Sequence, residues 1–291
     1  MAKKTNALKI APFVPLAIGV LLQNAVLPEA RKSVDKTATE APVAECDDVE
    51  SFMDCHSDYP TGCTDKPGGR YDPYLNLMKN QLIPPPADAA KLPYLNSAEE
   101  FAKLDRKLPE GLEKKNHGKF QKELAALGEG SVIGTVGYLY YLQEGTAETS
   151  NCKLTGEDNA DFHLGIGYDA DLAKKVKDKK ALTAAEKRAL KMTSVIVEMT
   201  PHVRFANGTS WNKESLRKVL GQQVRVAGQL MFDNEHNVKS QNCAMVGADQ
   251  SKCWRATAWE MHPVTLFQVC GTDACTEKNT DWQEVGKEPG S

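Results

Sequence analysis

Residues 194–232 read SVIVEMTPHVRFANGTSWNKESLRKVLGQQVRVAGQLMF, and their hydrophobic period changes twice. Ser194 to Thr200 is a β-branched apolar run in which Glu198 is the lone charge, so it reads as a strand. From Trp211 to Leu220 the period becomes helical, with Leu216, Val219 and Leu220 on one face, Ser210 as an expected N-cap and Gly221 as the stop. Period two returns at Val224 and runs to Phe232, where Val224, Val226, Leu230 and Phe232 alternate with Arg225, Ala227, Gln229 and Met231.

Two strands lie upstream of this stretch and one downstream. Val132 to Leu142 sets Gly134, Val136, Tyr138, Tyr140 and Leu142 on one face, and Asp161 to Tyr168 carries the apolar set Phe162, Leu164 and Ile166. Downstream, Trp254-Arg255-Ala256-Thr257-Ala258-Trp259-Glu260-Met261-His262-Pro263-Val264-Thr265 reads as one strand extended through Leu266, Phe267 and Val269. Three strands, a helix and two strands is the element order of the OB-fold, and a single helix between strands three and four favours that barrel over a small sandwich. Glycines within the first and fourth strands, Gly134 or Gly137 and Gly228, suit a tightly coiled barrel. The expected fold is mainly β with α additions: a five-stranded OB-fold-like Greek-key barrel over 131–271, preceded by a cysteine-containing irregular and helical segment. Between strands two and three, residues 170–193 form an insertion with eight basic residues (Lys174, Lys175, Lys177, Lys179, Lys180, Lys187, Arg188, Lys191) against three acidic ones. Thr183-Ala184-Ala185-Glu186 opens its second helix as a capping box, and the charge run reads first as a solvated face.

The rest of the chain divides by composition. Residues 1–30 read as a signal peptide or uncleaved anchor: Lys3, Lys4 and Lys9 precede an apolar run from Ile10 to Leu22. Eighteen residues to Leu27 would barely span a bilayer. Residues 31–97 are polar and turn-rich, holding Cys46, Cys55 and Cys63 and a short helix within Tyr71 to Asn80. A helical segment occupies 98–130, capped at Ser97 with Glu100 and stopped at Pro109, then resumed from His117 to Leu127; 272–291 is a tail. Eight cysteines without one C-x-x-C favour disulfides over zinc and a periplasmic or secreted location. Cys243 with Cys253 and Cys270 with Cys275 are the pairs suggested by proximity. A net charge of -3 in 291 residues leaves no global polyanion footprint.

Chemistry concentrates where a carboxylate and an imidazole stand two residues apart on a strand: Asp161 with His163, and Glu260 with His262. In an OB-fold strand two adjoins strand three and strand three adjoins strand five, so Asp161, His163, Glu198, Glu260 and His262 are expected on adjacent strands as one ligand-binding cluster. Two imidazoles among three carboxylates suit a divalent metal or acid–base work; His163, Glu260 and His262 are the expected metal ligands, with His202, Asp233, Glu235 and His236 as further donors. Without an ion, the same groups form a cross-strand ionic network. Asp54, Asp58 and Asp65 lack the twelve-residue calcium-loop pattern, and Asn207-Gly208-Thr209 is a glycosylation sequon. No G-x-S-x-G, P-loop, G-x-G-x-x-G or C-x-x-C-H motif occurs.

At Thr200-Pro201, Leu230 to His236 and Trp254 to Thr265 the chain resembles a group of exported bacterial proteins with no assigned activity, which end in a similar Trp-Arg-Ala-Thr-Ala-Trp-Glu-x-His-Pro-Val-Thr strand. The resemblance covers about 131–270 and touches Tyr71 to Gln81. Staphylococcal-type nucleases share the barrel, but beside the acidic positions this chain has only Arg204 and Arg255, so that likeness stays at the fold. Three functions follow: an exported binding module for an oligosaccharide, nucleic acid or protein; a metal-dependent hydrolase such as a phosphodiesterase, with Glu198 or Asp161 as base; or a disulfide-stapled envelope protein.

Overall fold

The computed structural model describes residues 51, 52, 55 and 73–286, except 115, 207–210 and 273. The N-terminal segment 1–30, Cys46, Cys63, the trio Asp54, Asp58 and Asp65, the sequon and the Ser210 cap lie outside the described residues.

Six strands form one sheet: β1 Val132–Glu144, β2 Phe162–Gly167, β3 Val195–Met199, β4 Gln223–Phe232, β5 Trp259–Cys270 and β6 Trp282–Glu284. Their order is β3-β2-β1-β4-β5-β6, and a further pairing of β3 with β5 closes the first five into a barrel. Neighbours are antiparallel except at that closure, where Val197 faces Met261 in a parallel pair. This is the OB-fold order. The inward set follows the period of two: Phe162, Leu164 and Ile166 on β2, Val195, Val197 and Met199 on β3, Val224, Val226, Leu230 and Phe232 on β4, and Trp259, Met261 and Phe267 on β5, all in one core cluster. Register shifts accommodate the coiling, one in β1 between Leu139 and Tyr141 and two in the β4–β5 ladder around Gly228. A Cβ at Gly228 would stand 2.6 Å from the Pro263 carbonyl oxygen, so the glycine is what lets β4 and β5 approach there.

Helices occupy the connections: α1 Pro73–Lys79, α2 Ala98–Asp105, α3 Gln121–Ala126, α4 Ala170–Lys177, α5 Ala184–Met192, α6 Pro201–Ala206 and α7 Lys213–Lys218. Ser97 caps α2 by accepting the Glu100 N–H at 3.2 Å, while the Glu100 carboxylate takes the Asn96 N–H, so the box is displaced by one residue. α2 ends at Asp105, short of Pro109. The Thr183–Glu186 box opens α5 as expected. α7 is capped by Asn212, whose side chain accepts the Ser215 N–H at 2.9 Å.

Three bridges lie among the described residues: Cys243–Cys253 within the β4–β5 connection, Cys270–Cys275 at the end of β5, and Cys55–Cys152 across 97 residues. They fit an oxidising compartment. No helix among the described residues is long and apolar enough to cross a membrane.

The structure corrects one strand boundary. β5 starts at Trp259, and residues 254–258 are a loop, held by the Trp254 and Arg255 N–H groups on the Gln241 carbonyl and the Ala256 N–H on the Ser194 carbonyl. A strand through Arg255 would have aimed its guanidinium at the apolar face shared by Trp259 and Met261. The loop turns it elsewhere.

Candidate metal centre

With Phe162 and Leu164, Val197 and Met199, and Trp259 and Met261 committed to the core, the intervening His163, Glu198, Glu260 and His262 point to the outer face of the barrel. Pairing of His163 with Glu198, and of Val197 with Met261, sets them side by side across β2, β3 and β5. Asp161 stands just before β2.

That outer face is covered. α1 lies over it, with Leu75 and Met78 packed on Met231, and the turn Thr149–Asn151 closes the side. Cover and turn are joined by Asn76 Nδ2 to Thr149 Oγ1 at 2.9 Å, Asn80 Nδ2 to the Ser150 carbonyl at 2.7 Å, and Lys79 Nζ to Glu148 at 2.8 Å. Gln229 Nε2 donates to both the Met78 and the His262 carbonyls at 2.8 Å, fixing α1 to β5. Glu260 and His262 are therefore 0% exposed, Asp161 1% and Glu198 3%.

His262 is the hub. Its Nδ1 hydrogen-bonds Glu260 Oε1 at 3.3 Å and lies 3.3 Å from Glu198 Oε2, while its Nε2 is 3.6 Å from Asp161 Oδ2. Asp161 Oδ1 accepts from Asn151 Nδ2 at 3.0 Å. Glu198 Oε1 pairs with His163 Nε2 at 3.0 Å, and Glu148 Oε1 stands 3.8 Å from the same nitrogen. Behind Glu260, the Arg255 guanidinium forks between Glu260 Oε2 at 2.6 Å and Asp233 Oδ2 at 3.0 Å, and its Nε donates to the Thr257 carbonyl at 2.8 Å. Asp233 also accepts from His236 Nδ1.

Among the buried atoms that lack a hydrogen bond, Asp161 Oδ2, Glu198 Oε2 and His262 Nε2 converge at the hub, and Asn151 Oδ1 and His163 Nδ1 stand beside it. Buried polar atoms are ordinarily satisfied, and leaving one unpaired costs about 1–3 kcal/mol. The donor atoms of Asp161, Glu198 and His262 lie within 4.8 Å of one another, and a second group, Glu148, His163 and Glu198, shares Glu198 with the first.

The electrostatics agree with a site short of positive charge. Glu148, Asp161, Glu198, Asp233 and Glu260 outnumber Lys79, Arg255 and Arg204, the last set beside Asp161, by two, so with every carboxylate ionised two imidazolium protons or one divalent ion would balance the cluster. Burial would push the His262 imidazole down, yet Glu198, Glu260 and Asp161 outweigh it and hold it above its ordinary value. His163 shows the same contest and is raised to about 9 by Glu198 and Glu148. Burial raises Asp161 to about 6, with Glu148 adding to the push. Glu198 goes the other way: burial opposes it, but His163 and His262 carry it far below the usual carboxylate range.

The structure thus brings Asp161, His163, Glu198, Glu260 and His262 into one network. Within it His163 and His262 belong to different donor groups, and Glu260 is in neither, being engaged by Arg255. Among the further donors expected from sequence, Asp233 and His236 join through Arg255, whereas His202 stacks edge-on against Phe52 at 4.3 Å, away from the hub. Lys79, Glu148 and Asn151 escaped the sequence reading, and Arg255 entered it only as an arginine beside the acidic positions. Arg255 alone had a signal, as an arginine on the apolar side of a presumed strand. No protein-family model, curated protein or solved structure matches the chain.

Proposed function

We propose that the protein is an exported OB-fold binding protein whose ligand is one divalent cation held by Asp161, Glu198 and His262. The observation that carries the reading is the convergence of three fully buried donor atoms without hydrogen-bond partners. A cation with ligand bonds of about 2.0–2.2 Å holds neighbouring donors roughly 3–4 Å apart, and Asp161 Oδ2 and His262 Nε2 are 3.6 Å apart. Two carboxylate oxygens with one imidazole suit zinc or manganese better than a soft ion. Glu260 supplies the outer partner that orients a ligating imidazole, and Arg255 in turn fixes Glu260. The charged lead before Ile10 and the three disulfides support export to the periplasm or beyond.

The cover also bears on rival readings. An oligosaccharide or single-stranded nucleic acid on strands two and three would compete with α1 and the Thr149–Asn151 turn for the same face. Hydrolysis requires substrate to reach the ion, and side chains 0–3% exposed offer no approach.

Metal analysis of protein purified without chelator tests the proposal. About one equivalent of zinc or manganese is expected in the parent, and Asp161→Asn and His262→Gln should lose it while remaining folded. Absence of metal, together with melting unchanged by added zinc, manganese or calcium, would sink the proposal and leave the disulfide-stapled protein with an imidazolium network.

A further inference from the structure

The α4–α5 insertion packs on the outer side of β1 and β2. Tyr140, Ala173 and Leu190 form a small core of their own there, with Tyr138, Tyr141, Leu172, Val176 and Leu182 partly buried around it. The packing is incomplete. A cavity of about 390 Å³ opens between the two helices and β1, floored by Tyr140, Tyr141, Val176, Leu182 and Leu190, with Lys179, Lys180, Lys187 and Lys191 at its mouth. That volume lies within the range of small-molecule sites, about 300–1,000 Å³.

Floor and mouth differ in chemistry. Both tyrosine hydroxyls are already engaged, Tyr140 with the Asp169 backbone at 2.7 and 3.0 Å and Tyr141 with Ser194 Oγ at 3.0 Å, so the floor presents rings and methyl groups. Two of the insertion's three acids are taken: Glu186 by Lys175, and Asp178 by Lys180 at 3.2 Å and Lys174 at 3.9 Å. Among the described residues no carboxylate pairs with Lys179, Lys187 or Lys191. Lys179 further adopts a left-handed backbone with φ 51°, a conformation that favours glycine, and the chain keeps an ammonium there. An excess of five positive charges over 170–193, in a chain of net charge -3, concentrates this potential on one feature.

We propose that this cavity binds a monomeric anionic amphiphile, with its apolar body on the half-buried Tyr141, Val176 and Leu182 and its phosphate or carboxylate head on Lys179, Lys187 and Lys191. The cavity lining shares no residue with the proposed metal centre.

Calorimetric titration of the full chain with dodecyl phosphate, below the concentration at which it forms micelles, provides the test. Saturable one-to-one binding is expected, weakening as salt rises from 0.05 to 0.3 M and at least tenfold weaker in the exposed double variant Lys187→Glu/Lys191→Glu. Leu182→Trp, which fills the cavity and leaves the lysines in place, should weaken it as much. Inorganic phosphate and neutral dodecyl maltoside should each bind at least tenfold less tightly. Comparable affinity for either of them, undiminished binding in both variants, tighter binding of a single-stranded oligonucleotide, or binding only to anionic vesicles would each overturn the proposal.

Discussion

Arg255 satisfies two buried carboxylates at once, and its own side chain is 1% exposed. Burial disfavours its charge, but Glu260 and Asp233 outweigh that and hold it above its ordinary pKa. Removing the guanidinium leaves both acids in a low-dielectric interior without a cation. Arg255→Met should therefore lower stability by about 3–5 kcal/mol, read as a reduced urea midpoint with unchanged slope. Arg255→Lys should recover only part, since a single ammonium cannot fork between Glu260 and Asp233; an Arg255→Met protein as stable as the parent would refute the network. A pH prediction attaches to the same chain of contacts. Asp233 raises His236 against burial and the repulsion of Arg255 and Lys79, whereas Asp233, despite its burial, is held far below its usual value by His236 and Arg255. The His236 contribution is full below about pH 6.5, its unfolded value, and is lost as pH rises through the higher folded value. For Asp233 the contribution is present above about pH 3.9 and lost as pH falls through its lower folded value. The gap in melting temperature between the parent and His236→Gln should thus be widest in mildly acidic solution and shrink on the alkaline side. A gap independent of pH from 5 to 10 would contradict this.

At the scale of elements, the five barrel strands were legible because each buries one face against a common core, and a period of two survives even where Glu198 or His163 interrupts the apolar run. Their adjacency followed from order alone, as strand three beside strand five required no side-chain information. The start of β5 was not legible. Trp254 to Ala258 has strand-like composition, but Cys253 is tied back to Cys243, and Arg255 finds its two carboxylates only if the backbone leaves the sheet. Nor did the sequence reveal that α1 and the Thr149–Asn151 turn cover the outer face, because that contact rests on side-chain amide hydrogen bonds with no periodic signature, beside a Cys55–Cys152 bridge that spans 97 residues. The bridge holds Cys152, the residue that follows this turn. Replacing it in Cys55→Ser/Cys152→Ser should cost about 2–4 kcal/mol, the usual range for a native bridge closing a long loop. Amide hydrogen exchange should rise in α1 and residues 148–152 before it rises in β3 or β4. Uniform acceleration across the barrel would mean that the bridge supports global stability without serving as a cover.

Over the whole molecule, the barrel places its least compensated charges at its closure. β3 and β5 meet through a single parallel pair, Val197 with Met261, and Glu198 and His262 adjoin it on the outer side. A cation bound there would cross-link β2, β3 and β5 where backbone hydrogen bonding is sparsest, so occupancy of the site and closure of the barrel become one equilibrium. A ligand that binds the folded state alone stabilises it by about 2.7 kcal/mol at a hundred times its dissociation constant. For a domain of this size each kcal/mol shifts the melting temperature by about 2–4 °C. Chelator-stripped protein given zinc or manganese at that excess should therefore melt about 5–11 °C higher, with the increment growing logarithmically with free metal. Asp161→Asn should abolish the increment while its own metal-free melting stays near the parent's, because Asn preserves the shape and can still accept from Asn151. His163→Gln should retain most of it, since His163 stands in the neighbouring donor group. A parent whose melting temperature ignores metal, or an increment that survives in Asp161→Asn, would detach the closure of the barrel from any ion and leave the three unpartnered atoms to imidazolium protons alone.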